Sequence, residues 1–243
     1  MAKSKRANGA GGVDRLVELI GDARLNIRCV GTGSPAVVLE SGLGESASAM
    51  ARWITPQVGR TTRVCVYDRA GHGRSDVDPD TADAAADLHV LLERAHVPAP
   101  YVMAGHSLGG AYALSYAHRY PSQVAGVVLL DSMHPHQTET AASSMGPVLA
   151  VVPTLARTGI ARLLADPKDG EPAAQARQFV RDVEQMPTQL SRAAKLTSLG
   201  DRPLGVVTAG KAPSRDGPRS RTTSPRCPPA ASSGRWPGPR TSP

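Results

Sequence analysis

Apolar and polar positions along the chain fall into short runs that change period repeatedly. Arg15 to Ile20 and Leu25 to Val30 are strand-like runs separated by Gly21-Asp22, a pair that tolerates positive φ and predicts a hairpin between antiparallel strands. Turn residues Gly31 to Pro35 lead into Ala36-Val37-Val38-Leu39-Glu40, a nearly continuous apolar run of the kind buried on both faces of a parallel sheet. It stops at Ser41-Gly42-Leu43-Gly44. The unit then recurs: a strand from Arg63 to Tyr67, helical composition from Thr81 to His96, a strand from Tyr101 to Ala104, a helix from Gly109 to Tyr120 stopped by Pro121, and a strand from Val124 to Leu130. Strands alternating with helices at this spacing predict right-handed crossovers and an α/β fold with a doubly wound, mostly parallel sheet. Ligands bind such sheets beyond the carboxyl ends of the strands.

From Ser132 to Leu199 the pattern is helical, with a segment from Gly146 to Leu164 interrupted by Pro153 and a polar segment from Pro172 to Lys195. This insertion, about residues 133–200, is expected to form a helical cap over the site. Leu204 to Thr208 reads as a last strand, after which Pro, Ser, Arg and Gly dominate. That composition buries too little apolar surface to offset an ordering cost of roughly 1–2 kcal/mol per residue. The expected organisation is therefore a disordered stretch over residues 1–12, one α/β domain over 13–210, and a disordered tail over 211–243.

A chain of 243 residues, 40% apolar, suits a single core of that size. Its net charge of +7 sits almost wholly in the tail, where Lys211, Arg215, Arg219, Arg221, Arg226, Arg235 and Arg240 face the single acid Asp216. A basic groove for nucleic acid is not implied, and Trp236 alone makes no series of stacking aromatics. Cys29, Cys65 and Cys227 form no close pair in sequence, and an odd count does not suit a secreted disulfide framework. Reduced thiols in a cytoplasm are expected. Met1 to Gly12 lacks the apolar stretch of a signal peptide, and nothing approaches a run of about 18 apolar residues, so no membrane span is expected. His72, His89, His96 and His118 show no metal-ligand spacing, so no metal is implied.

The chemistry concentrates at Gly105-His106-Ser107-Leu108-Gly109. This fits G-x-S-x-G between a predicted strand and a predicted helix, where the motif has mechanical meaning. The turn is tight enough that the neighbours of the serine must lack side chains, and Gly105, Gly109 and Gly110 meet that demand.

In its hairpin, in Ser41-Gly42-Leu43-Gly44, in Tyr67-Asp68-Arg69-Ala70-Gly71-His72-Gly73-Arg74-Ser75 and in the serine turn, taken in that order, the chain resembles the α/β-hydrolase family. With Asp131 these places cover about the first 135 residues. The resemblance implies that Ser107 is the nucleophile and that the backbone amides of Leu43 and Leu108 form the oxyanion hole. It implies a structural role for Asp68 to Ser75. Asp131, closing Val127 to Leu130, is the candidate triad acid, because the family's usual place after the following strand reads Thr208-Ala209-Gly210-Lys211, without a carboxylate. Asp131 reads equally as a helix cap or a loop acceptor.

The family's base is a histidine that follows the acid, and this sequence has none after His136. In family terms the last strand and helix lack a counterpart in residues 211–243, and that tail reads as a GC-rich gene translated out of frame. Another frame of the downstream DNA is then expected to encode a strand, a Gly-His loop and a helix. His134 and His136 are candidates for an improvised base, although a surface place suits them better, and His106 is expected to point away from the serine hydroxyl. The activity implied is hydrolysis of a small ester, or an amide, through an acyl-enzyme on Ser107, without a cofactor. The alternative is a catalytically impaired relative. Neither nucleic acid nor a membrane is an expected partner.

Overall fold

The computed structural model describes residues 15–18, 23–76, 83–133, 135 and 172–208. The Gly21-Asp22 turn, the segment from Gly146 to Leu164, His134, His136 and both tails lie outside the described residues.

Seven strands form one sheet: β1 (Arg15–Glu18), β2 (Arg24–Val30), β3 (Ala36–Glu40), β4 (Val64–Tyr67), β5 (Tyr101–His106), β6 (Val124–Leu130) and β7 (Leu204–Val207). Their order is β1-β2-β4-β3-β5-β6-β7. The β1/β2 and β2/β4 pairs are antiparallel, and every pair from β4 to β7 is parallel. This is the doubly wound, mostly parallel sheet that the alternation of strands and helices predicts.

The apolar run in β3 shows why the sheet holds its register. Val38 and Leu39 are each 1% exposed, yet they point to opposite faces, as successive strand residues must. Leu39 packs with Val64, Val66 and Ala104 against Met50, Ala51 and Ile54. Val38 packs with Cys65, Met103 and Val127 against Leu88, Leu91, Leu92, Leu114, Met186 and Leu190. The first face is covered by α1 (Ala47–Trp53) and α2 (Thr55–Val58), and the second by α3 (Ala84–Arg94), α4 (Gly109–Arg119) and α5 (Pro172–Ala194).

Element boundaries follow local chemistry. α3 starts at Ala84, later than the composition suggests, because the Asp83 carboxylate accepts from the amides of Ala85 and Ala86 and so caps the first turn. α5 has the expected extent, but its inward stripe of Gln178, Asp182, Met186, Gln189, Leu190 and Ala193 is half polar, which is why the segment reads as polar. Among the described residues β7 is an edge strand, with Val206 and Val207 each 57% exposed. No helix among the described residues is long and apolar enough to cross a membrane.

One expectation is overturned. Cys29 and Cys65 are joined in a disulfide. They stand 36 residues apart in sequence, but β2 and β4 are antiparallel neighbours and their register sets Cys29 directly opposite Cys65, with Cα atoms 4.1 Å apart. Spacing along the chain carries no trace of that pairing, because the pairing depends on which strands become neighbours.

Candidate active site

The site is built where β5 turns into α4. Ser107 has φ +51°, a conformation that costs a non-glycine residue about 1–3 kcal/mol and persists only where its surroundings enforce it. Here they do. The Ser107 amide donates to the Leu130 carbonyl at 3.1 Å, and the Ser107 carbonyl accepts from the Met133 amide at 3.1 Å and the Ser132 hydroxyl at 3.1 Å. The glycines give the turn its room. A Cβ on Gly105 would strike the backbone of Gly109 and Gly110, one on Gly109 would strike the Glu40 carbonyl, and one on Gly110 would strike the Ser132 side chain.

The same hydrogen bonds bring the end of β6 alongside. Because His106 pairs with Leu130 in the parallel register, Ser107 and Asp131 occupy the same step of adjacent strands. Asp131 also has positive φ, +45°, its amide donates to the Val207 carbonyl at 2.6 Å, and it is exposed at the sheet's carboxyl edge. Leu108 is wholly buried at the N-cap of α4, and Leu43 lies half-buried in the loop after β3.

That loop is held from both faces of the sheet. On the α1 side, Glu45 Oε2 accepts from the Gly42 amide at 2.8 Å and lies 3.0 Å from His106 Nδ1. Trp53 sets its ring edge-on to His106 at 6.1 Å. His106 is thus engaged locally. On the opposite side, Arg69 donates to the carbonyls of Ser41 at 2.8 Å and Gly42 at 3.1 Å. It also donates to both oxygens of Asp182, at 3.0 and 2.9 Å, and Asp182 accepts from the Gly44 amide at 2.7 Å. His72 Nε2 lies 3.0 Å from Asp182, and Tyr112 lies beneath the guanidinium, 4.4 Å from ring centre to Cζ.

Charge in this buried cluster is unevenly settled. Burial alone would raise the Asp182 pKa, but the Arg69 charge and bonds from His72 and Gly44 outweigh it and hold the carboxyl down at about 2. Glu40, at the end of β3, accepts from the Tyr67 hydroxyl at 2.9 and 3.0 Å and lies 3.9 Å from Arg69. Burial dominates there, and the partial relief from Arg69 and Tyr67 leaves its pKa raised to about 7.

The loop from Asp68 to Ser75 is structural in its bonding. Asp68 accepts from the Asn26 side chain and from the amides of Ala47 and Arg74, and Gly71 and Gly73 take positive φ to make the reversal. Glu40, Glu45 and Asp182 escape a reading of the sequence. For Asp182 the available signal is its i, i+4 relation to Gln178 on one polar stripe, since its partner Arg69 lies 113 residues away.

The chain is similar to known proteins in sequence and in fold. The family profile described as alpha/beta hydrolase fold matches residues 35–166. A 2-hydroxy-6-oxo-2,4-heptadienoate hydrolase of Pseudomonas putida is 33% identical over 132 residues, which cover 50% of this chain and 45% of that one. A pimeloyl-[acyl-carrier protein] methyl ester esterase of Chromobacterium violaceum is 38% identical over 109 residues, 44% of this chain and 40% of its own length. The chain thus spans less than half the length of these two relatives. A thermophilic esterase structure from Thermogutta terrifontis superposes with a TM-score of 0.59 at 22% identity, over 81% of this chain and 79% of that one, a likeness of fold.

Proposed function

The chain belongs to the α/β-hydrolase fold family, and from that premise we propose that it is a serine hydrolase acting on a small ester, or an amide, through an acyl-enzyme on Ser107. The observation that carries the reading is the strained φ of Ser107 at the β5–α4 turn, enforced by bonds from Leu130, Ser132 and Met133. That turn presents a serine at the carboxyl edge of the sheet, beside the N-terminus of α4.

In this reading the Ser107 hydroxyl attacks the acyl carbon, and the amides of Leu43 and Leu108 receive the negative charge that gathers on the carbonyl oxygen. Preset donors of this kind are worth several kcal/mol, because they need no reorganisation as the charge develops. The neighbours of Leu43 support its assignment, since the Gly42 and Gly44 amides are already given to Glu45 and Asp182. The alcohol or amine then leaves with the proton given up by Ser107, and water hydrolyses the acyl-enzyme, returning a proton to Ser107 and releasing the acid. Asp131 is the acid of the reading, at the same step as Ser107 on the adjacent strand. The esterase relative supports ester chemistry, and the hydrolase relative supports hydrolysis more broadly.

Turnover of p-nitrophenyl acetate tests the reading. The hydrolase reading expects release of p-nitrophenol that falls to the buffer rate in a folded Ser107→Ala variant. A rate unchanged by that substitution contradicts it.

A further inference from the structure

The loop after β3 contains the amide that the proposed function uses, yet nothing in its own sequence dictates where that amide points. A trans peptide is planar, so a carbonyl and the N–H of the next residue point in opposite directions. Holding one aims the other. The Gly42 carbonyl and the Leu43 amide share one such plane, and Arg69 holds that carbonyl at 3.1 Å. The next plane carries the Gly44 amide, held by Asp182 at 2.7 Å. The preceding plane is held at both ends, its Ser41 carbonyl by Arg69 at 2.8 Å and its Gly42 amide by Glu45 at 2.8 Å. Three consecutive peptide planes are therefore fixed by side chains; all three take a bond from the Arg69–Asp182 pair, and the two that flank Leu43 take theirs from that pair.

Arg69 does not hold itself in place. Tyr112 supports its plane from beneath, and the carboxylate that accepts from Nη2 at 2.9 and 3.0 Å fixes the direction of its fork. Asp182 is 0% exposed and Arg69 5%. A buried pair of this kind adds little net stability over apolar residues of the same volume, because desolvation offsets the attraction. What it supplies here is direction. The carboxylate comes from α5, far from the loop in sequence, so packing of α5 on α4 is what completes the loop.

We propose that Asp182 is a positioning residue of the oxyanion hole: through Arg69 and the Gly44 amide it sets both peptide planes flanking Leu43, so that the Leu43 amide faces the acyl oxygen. This rests on the reading of Ser107 as a nucleophile. It assigns to α5 a role in assembling the site that is separate from covering it.

The test compares wild type, Asp182→Ala and Asp182→Asn in two measurements on the full chain: steady-state hydrolysis of p-nitrophenyl acetate, and residue-resolved amide hydrogen exchange over residues 42–44. With Asp182→Ala, kcat is expected to fall by about 10- to 100-fold with KM nearly unchanged, since misplacing one preset donor acts on the transition state. Exchange at Gly44 should quicken in the same variant. Asp182→Asn keeps an acceptor for Gly44 and should restore part of both. Unchanged kcat in Asp182→Ala overturns the proposal, and so does a fall in kcat with wild-type exchange at Gly44. If Asp182→Ala does not fold, by near-ultraviolet circular dichroism, Asp182→Asn decides by the same criteria. If wild type shows no Ser107-dependent turnover, the hydrolase reading fails separately. Quickened exchange then retains Asp182 as the residue that positions the loop, and unchanged exchange removes that role too.

Discussion

Glu40 ends β3 with its carboxyl wholly inside the protein, next to a guanidinium already matched by another carboxylate. Asp182 already takes up much of the Arg69 charge, so an ionised Glu40 would be only partly matched, and burial outweighs the relief from Arg69 and Tyr67 and raises its pKa from 4.5 to about 7. The native state therefore holds a proton that the unfolded chain releases near pH 4.5. The stability this contributes is full below that pH and is lost as pH rises through about 7. Denaturant unfolding is expected to show stability falling between pH 5 and pH 8, by about 3 kcal/mol at most, and Glu40→Gln should flatten that slope. A wild-type slope that survives Glu40→Gln would assign the dependence to another group. At this scale the sequence exposes the glycines around Ser107, because their steric reason is local. It conceals the partners of Arg69 and His106, because those lie on elements that only tertiary packing brings near.

Among the elements, those with strong local signals are legible from sequence. β3 and β6 have the predicted boundaries, since an apolar run buried on both faces starts and stops sharply. α1 and α2 escape, being seven and four residues long, too short for a helical period to register in the pattern. The disulfide escapes for a different reason: it reports the adjacency of β2 and β4, which local patterning does not encode. It closes a loop of 36 residues, and bridges of that kind contribute typically about 2–4 kcal/mol. Peptide mapping without reductant should recover Cys29 linked to Cys65, and reduction should lower the unfolding free energy by that amount. Recovery of both residues as alkylated thiols from unreduced protein would contradict the pairing.

Across the whole molecule, the sheet order gathers Ser107, Asp131 and the loop around Leu43 at the carboxyl ends of β5, β6 and β3, where doubly wound sheets bind ligands. The fold class and this gathering follow from alternation of period along the chain. The contribution of α5 does not, because a half-polar inward stripe reads as surface until its partners are in place. The nucleophilic role of Ser107 is tested by modification with a serine-directed fluorophosphonate, followed by peptide mass spectrometry. A phosphonyl adduct is expected on Ser107, with fluoride released, when the native chain is treated, and none when the chain is unfolded before treatment. No adduct on Ser107 in folded protein, or an equal adduct on other serines, would contradict it.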